Sequence, residues 1–232
     1  MSIWTRIRDA LSALRQGESL AEVFERLRTP PERSVAFTIA VIALGAKMAK
    51  ADGTVNRDEV AAFRRVFTIP PGEEANAARV YNLARQDVAG YDAYARKIAR
   101  MFDVPEPPEG CPDEPVLIDL MDGLFEIAVA DGGFHPAEEA FLHDVARIFG
   151  LGEPCFRKLR ARHVEDDPYA VLGVAPDAPM TQVRAAWREA VRESHPDRMQ
   201  ARGVPPEAVK LAEHRLATVN RAWEEIGRQR AA

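Results

Sequence analysis

Two groups of residues have types and spacings that could do chemistry. The first is Arg192-Glu193-Ser194-His195-Pro196-Asp197-Arg198. Proline fixes its own φ and disfavours helical backbone in the residue before it, so a helix arriving at Ser194 must end there and an exposed bend must follow. Asp197 can accept charge-assisted hydrogen bonds and His195 can donate or accept them, so a rigid turn presenting both is a compact recognition device. Arg184, Arg188 and Arg192, spaced by four, form a basic ridge leading to the turn, and Arg198 extends the positive charge beyond it. The second group is acidic: Asp52 and Glu59 in one stretch, Asp131 and Glu138 in another, with Asp58 and Glu139 beside them. Brought together, these carboxylates would suit a hard divalent cation such as Ca²⁺. Helix capping explains the same positions without a metal, because it needs only the spacing along the chain.

Hydrolysis by His195 and Asp197 is disfavoured. No nucleophile, oxyanion site or metal triad stands at a suitable spacing, and a turn between two helices offers no pocket, so the chain reads as a non-enzyme.

The elements that must position these residues are helical. Before the turn, Val183, Trp187, Ala190, Val191 and Ser194 recur at helical spacing; after it, Ala208, Leu211, Ala212, Leu216, Val219, Trp223 and Ile226 do the same. Upstream, Asp167 as N-cap, Pro168 at the first position and Gly173 at the stop predict a short helix, and Pro179 or Met180 begins the next. The acids lie in an internal repeat. Ala49-Lys50-Ala51-Asp52-Gly53, running on to Glu59, matches Ala128-Val129-Ala130-Asp131-Gly132, running on to Glu138. Each copy should end one helix and start another. Gly53 and Gly132 suit a left-handed stop, Asn56 with Glu59 suits a capping box, and Pro136 with Glu138 suits a similar start. Val60, Phe63, Val66 and Phe67 of the first copy correspond to Glu139, Leu142, Val145 and Ala146 of the second, and two such hairpins can pack into one bundle.

Tyr169-x-x-Leu172-Gly173-Val174, then Ala186-Trp187-Arg188, then His195-Pro196-Asp197, then Val219-Asn220-Arg221-Ala222-Trp223 resemble, in this order, the J-domain of the DnaJ family over residues 166–228. The resemblance implies docking on a DnaK-type chaperone and stimulation of its ATP hydrolysis, with Arg184, Arg188, Arg192 and Arg198 as the positive surface and His195, Pro196 and Asp197 as the signal. It departs from the family in three places. Trp187 and Trp223 stand where tyrosine is more usual, and each indole N–H asks for a partner. The connection from Met199 to Pro206 is long, and the fourth helix is missing or reduced to residues 228–232. The repeat, over residues 32–152, resembles the TerB family, which implies an association with tellurite resistance and, in some members, metal binding through acids such as Asp52, Glu59, Asp131 and Glu138. The combination resembles the DjlA/DjiA-type co-chaperones of bacteria.

The expectation is therefore an all-α chain: an amphipathic segment at 1–29, a TerB-like helical bundle at 30–155, a short basic helix or hinge at 156–165, and at 166–232 a J-domain with an antiparallel pair of long helices. It would serve protein folding under stress by recruiting a DnaK-type chaperone to an unknown client, with no required cofactor. The alternative is a metal-binding, tellurite-resistance-like stress scaffold that uses a divalent cation and keeps the J-domain as a secondary tether. A net charge of −5 argues against a nucleic-acid partner. Val35 to Ala46 is strongly apolar but shorter than the roughly twenty residues a membrane helix needs, so it reads as a buried core helix. Ile3, Trp4, Ile7, Leu11 and Leu14 form an apolar face that could lie on the inner face of the membrane, although Asp9, Glu18, Glu22 and Glu25 favour packing on the bundle. Cys111 and Cys155, far apart and without metal-ligand spacing, read as free thiols of a cytoplasmic protein.

Overall fold

The computed structural model describes residues 33–51, 90–101, 104, 115–130, 133–164, 167–201 and 204–231. It also describes 12, 13, 16, 22, 66, 68, 71, 72, 74, 75, 78, 79 and 82. The amphipathic face expected near the N-terminus, the Pro-rich stretch before residue 115 and most of the first repeat copy lie outside these residues. The fold is all-α, with no strand among the described residues.

Helix α1 (Arg33–Ala51) is buried on every side from Phe37 to Met48, as an apolar run of this length requires when it forms the centre of a bundle. No helix among the described residues is long and apolar enough to cross a membrane. Helix α2 (Tyr91–Met101) turns Tyr94, Ala95, Ile98 and Ala99 inward. Helix α3 (Pro115–Ala128) packs on α1 near Gly123, where an added Cβ would meet the Val41 methyls at an ordinary contact distance of 3.7 Å. Helix α4 (Pro136–Ile148) follows the second repeat copy. Its start matches the expectation: Pro136 occupies the first turn, His135 Nδ1 accepts from the Ala137 N–H at 3.2 Å, and Glu138 Oε2 accepts from the His135 N–H at 2.9 Å. Leu142, Val145 and Ala146 are buried as the repeat pattern implies, and Val66 of the first copy is buried with them.

Residues 156–165, expected as a short helix or hinge, lie mostly within helix α5 (Glu153–His163). Its Phe156 and Leu159 belong to the first hydrophobic core and its Ala161 to a second, so one helix is shared by two cores. Cys155, expected as a free thiol, is disulfide-bonded. Spacing along the chain argues against a metal pair but does not report the Cα separation that governs a disulfide. Cys111 lies outside the described residues.

The second core is built by helix α6 (Pro168–Leu172), helix α7 (Met180–Glu193) and helix α9 (Val209–Ala231), with the short helix α8 (Pro196–Ala201) and a 3₁₀ turn (Pro206–Ala208) joining α7 to α9. Asp167 caps α6 by accepting from the Tyr169 N–H at 3.0 Å, and Gly173 ends it in the left-handed region at φ 68°. Residues 228–231, expected as a remnant of a fourth helix, instead continue α9. Helix α9 serves both cores: Leu211 and Ala212 join the first, while Val219, Ala222 and Ile226 join the second.

Phe125 on α3 tests the centre of this arrangement, lying 6.0 Å from Phe134, 5.8 Å from Phe156 and 5.3 Å from the stacked His163 ring, centroid to centroid. Phe125→Ala should lower the free energy of unfolding by about 3–5 kcal/mol in a urea titration, as removal of a fully buried aromatic ring does.

Candidate functional site

The His-Pro-Asp turn is built by three local devices. Helix α7 stops at Ser194, whose Oγ donates to the Ala190 carbonyl at 2.6 Å and whose side chain is fully buried, so the chain leaves the helix with its polar group satisfied inward. His195 then breaks outward, and Pro196 starts α8 at once, making the bend tighter than an open loop. His195 Nδ1 accepts from the Asp197 N–H at 3.2 Å, which leaves Nε2 as its donor. The two side chains, 58% and 88% exposed, present a donor and a carboxylate side by side, with Nδ1 3.7 Å from the nearer Asp197 oxygen.

Arg184, Arg188, Arg192 and Arg198 are all exposed. Two of them have local carboxylate partners that the sequence reading did not assign: Arg192 pairs with Glu189 and Arg198 with Glu193. Exposed pairs of this kind contribute little energy and leave the ridge basic. The Arg184 guanidinium lies 5.9 Å from the Trp223 ring centre. The antiparallel α7 and α9 are held in register by stacking of Trp187 on Trp223, with centroids 5.1 Å apart. The partner required for the Trp187 indole N–H is Asn220 Oδ1 at 3.0 Å. Arg230 was not singled out from the sequence, yet it donates to the Ala178 and Pro176 carbonyls at 2.6 and 2.8 Å and to the Tyr169 hydroxyl at 3.3 Å, tying the end of α9 to the loop before α7.

Beneath the turn lies a charged junction that the sequence reading missed. Met199 and Val204, just beyond the His-Pro-Asp turn, join Ala208, Leu211 and Ala212 in the first core, so the turn end of the hairpin rests on the bundle. Beside this apolar seam, Asp119, Asp122 and Glu126 project from one face of α3. Arg215 of α9 donates to Asp119 at 2.7 Å and lies 3.4 Å from Asp122. Arg162 of α5 meets Asp122 at 3.2 Å, and His214 of α9 meets Glu126 at 3.2 Å. His163 lies 2.9 Å from Asp122 through Nε2 and 3.4 Å from Glu126 through Nδ1. Ionised carboxylates only accept, so His163 is doubly protonated here.

Burial alone would raise the Asp122 pKa, but Arg162, Arg215 and His163 outweigh it and hold the carboxyl well below the usual range. Glu126 is likewise lowered, against its burial, by His163 and His214. His163 is raised, against its own burial, by Asp122 and Glu126. The signal available in the sequence was the spacing of Asp119, Asp122 and Glu126, at i, i+3 and i+7 within an apolar helix.

Of the proposed metal ligands, Asp52, Glu59 and Asp131 lie outside the described residues, and Glu138 closes the helix cap of α4. Among the described residues, no group of three His, Cys, Asp or Glu side chains is placed to hold a metal ion.

Residues 38–161 match the profile of a known family, tellurite resistance protein TerB. The chain belongs to the TerB family. The match takes in α1 to most of α5, including the three junction acids. Beyond it, the chain is similar to the co-chaperone protein DjlA of Photobacterium profundum, 25% identical over 86% of this chain and 79% of the relative. It is also similar to DjlA of Coxiella burnetii, 24% identical over 79% and 74%. DjlA of Vibrio cholerae is 30% identical over 48% of this chain, and that match spans about half of the relative's length, 52%. Two of these matches cover most of both chains and the third about half of each. No solved structure matches the chain.

The junction predicts a pH window for stability. The His163 contribution is fully present below its ordinary pKa of 6.5 and is lost as pH rises through the higher folded value. The Asp122 and Glu126 contributions are present above their ordinary values of 3.8 and 4.5 and are lost as pH falls through the lower folded ones. The melting temperature should therefore be highest from about pH 4.5 to 6.5, and His163→Gln should remove the decline on the alkaline side. Asp122→Asn should cost about 3–5 kcal/mol near pH 6, because buried cations lose their counter-charge.

Proposed function

We propose that the chain is a co-chaperone whose C-terminal hairpin is a J-domain, docking on a DnaK-type chaperone and stimulating its ATP hydrolysis. The observation that carries this reading is the outward His195-Pro196-Asp197 turn. Its imidazole and carboxylate are exposed while Ser194, just before it, and Met199, two residues after it, are buried. The turn is thus a rigid presentation of polar groups, and binding through it does not require an open loop to be ordered. Arg184, Arg188, Arg192 and Arg198 supply positive potential beside it, which speeds encounter with an acidic partner and fixes register. The names of the relatives agree with this role. In this reading the protein catalyses nothing itself; the bundle brings the hairpin to its client or location.

Steady-state ATP hydrolysis by a bacterial DnaK with the full chain added is the direct test. Wild type should stimulate turnover, His195→Gln should abolish the stimulation, and the triple Arg184, Arg188, Arg192→Ala variant should weaken it more at low salt than at high salt, where the arginine potential is already screened. All the replaced side chains are exposed, so both variants should melt with the wild type. Folded wild-type protein that leaves the ATPase unchanged would sink the proposal.

A further inference from the structure

Around the interdomain cavity of about 310 Å³, Asp119, Arg162, Glu189, Glu193 and Arg215 each meet an opposite charge. Lys158, which also reaches that wall, is the exception: it is half-buried and makes no hydrogen bond or ion pair among the described residues. Its stem and amine instead lie along the exposed, left-handed end of α6, where an added Cβ on Gly173 would come within 3.2 Å of both Cδ and Nζ. Lys158 and Gly173 together belong to the wall of a second space, an open groove of about 950 Å³ between α4, α5, α6 and the loop before α7.

The charges of this groove are unequally satisfied. Its four acids are engaged: Glu139 by Arg160 at 2.7 Å, Glu153 by His143 at 3.1 Å, Asp144 by the Tyr91 hydroxyl at 2.8 Å, and Asp167 by the Tyr169 N–H at 3.0 Å. Lys158 and its exposed neighbour Arg157 have no carboxylate partner among the described residues, so the charge left unmet is positive. At Lys158 that charge is also partly desolvated. Burial first, then Arg162 of α5 and Arg215 of α9, push the ammonium down to about 8, while Asp122 of α3 and Glu189 of α7 oppose them. A carboxylate arriving at this amine is attracted more strongly than one arriving at a fully hydrated lysine, because less water screens the pair.

We propose that the groove is a docking site for an acidic, extended peptide segment of a partner protein, whose carboxylates pair with Lys158 and Arg157 and whose apolar side chains rest on Pro136, Pro154, Val174 and Pro176. Charge complementarity fixes the sign of the occupant. Its size follows from the wall: a single small anion at Lys158 would leave the three prolines and the valine untouched, whereas a peptide covers both the cations and the apolar surface. The groove flanks the end of the hairpin where Arg230 ties α9 to Tyr169 and Pro176. The His-Pro-Asp turn lies at the other end of α7, 14 residues or about 21 Å away, so an occupant leaves the turn uncovered.

The test is fluorescence anisotropy of the full chain with a fluorescein-labelled peptide, three repeats of Glu-Pro-Asp-Leu, in about 0.15 M salt. No chaperone is present, so the outcome is independent of the co-chaperone reading. The probe should bind saturably, and the same peptide with Gln and Asn in place of its acids should not. Lys158→Met, which keeps the stem and removes the charge, should weaken binding about ten- to hundredfold, as loss of a hydrogen bond to a charged group does. Arg157→Gln, at an exposed position, should weaken it about two- to fivefold. The triple Arg184, Arg188, Arg192→Ala variant should bind as the wild type does, and affinity should decline above about pH 8 as Lys158 loses its proton. Melting curves show that each variant is folded. Absence of saturable binding by the wild type, or binding lost in the triple variant but kept in Lys158→Met, would overturn the proposal. Displacement of the probe by millimolar inorganic phosphate would do the same, assigning the site to a small anion.

Discussion

Helix α3 carries three acids into the interior, and the rest of the molecule is arranged around that fact. An ionised carboxylate taken out of water without a partner costs several kcal/mol, so Asp119, Asp122 and Glu126 must each find a cation or lose their charge. The bundle alone supplies Arg162 and His163 from α5. The remaining partners, His214 and Arg215, come from α9, which belongs mainly to the hairpin. Completing the charge balance of the first core therefore requires the second unit to dock. The apolar seam of Met199, Val204, Ala208, Leu211 and Ala212 gives that docking its driving force, but apolar contacts tolerate sliding. Arg215 between Asp119 and Asp122 does not, since moving α9 by one turn would shift its guanidinium by about 5 Å and break both of its carboxylate contacts.

This arrangement changes what kind of two-part protein the chain is. A hinge at 156–165 would have made the hairpin a tethered module, free to sample orientations. Instead α5 contributes to both cores and α9 runs through both, so the helices that link the units are also the helices that pack them. The His-Pro-Asp turn sits at the end nearest the bundle, between buried Ser194 and buried Met199. Its orientation is consequently a property of the whole fold. Whatever binds the bundle, and whatever alters the junction, acts on a surface whose direction is already fixed.

The local parts of this picture were legible in the sequence because their causes are local. Asp167 and Gly173 bound α6 where cap chemistry and a left-handed stop require. His135 and Glu138 close the box at the start of α4, and the apolar periodicity of 183–191 and 211–226 marks the faces that α7 and α9 bury. Trp187 demanded an acceptor and Asn220 provides one. What the sequence hid depends on groups distant along the chain. Asp119 and Arg215 are separated by 96 positions, and Arg230 and Tyr169 by 61, so neither local spacing nor propensity connects them. Residues 228–231 were expected as the remnant of a separate helix because the J-domain family usually has a fourth helix there. They stay helical because Arg230 is anchored by two carbonyls and a ring.

The junction also decides which charges the hairpin shows. Helix α7 carries Glu189 and Glu193 on the side that lines the interdomain cavity, and Arg184, Arg188 and Arg192 in exposed positions. Amphipathicity alone would bury Val183 and Ala190 against α9 without choosing between these two polar flanks, since both lie beside the same apolar stripe. Docking through α9 makes the choice, because the Arg215 contacts with α3 set the rotation of the hairpin about its long axis. The acidic flank is thereby turned toward Lys158, Arg162 and Arg215, where its charge is complemented, and the basic flank toward solvent. A chain of net charge −5 thus presents a basic ridge beside its exposed turn, and it does so through carboxylates buried on a different helix.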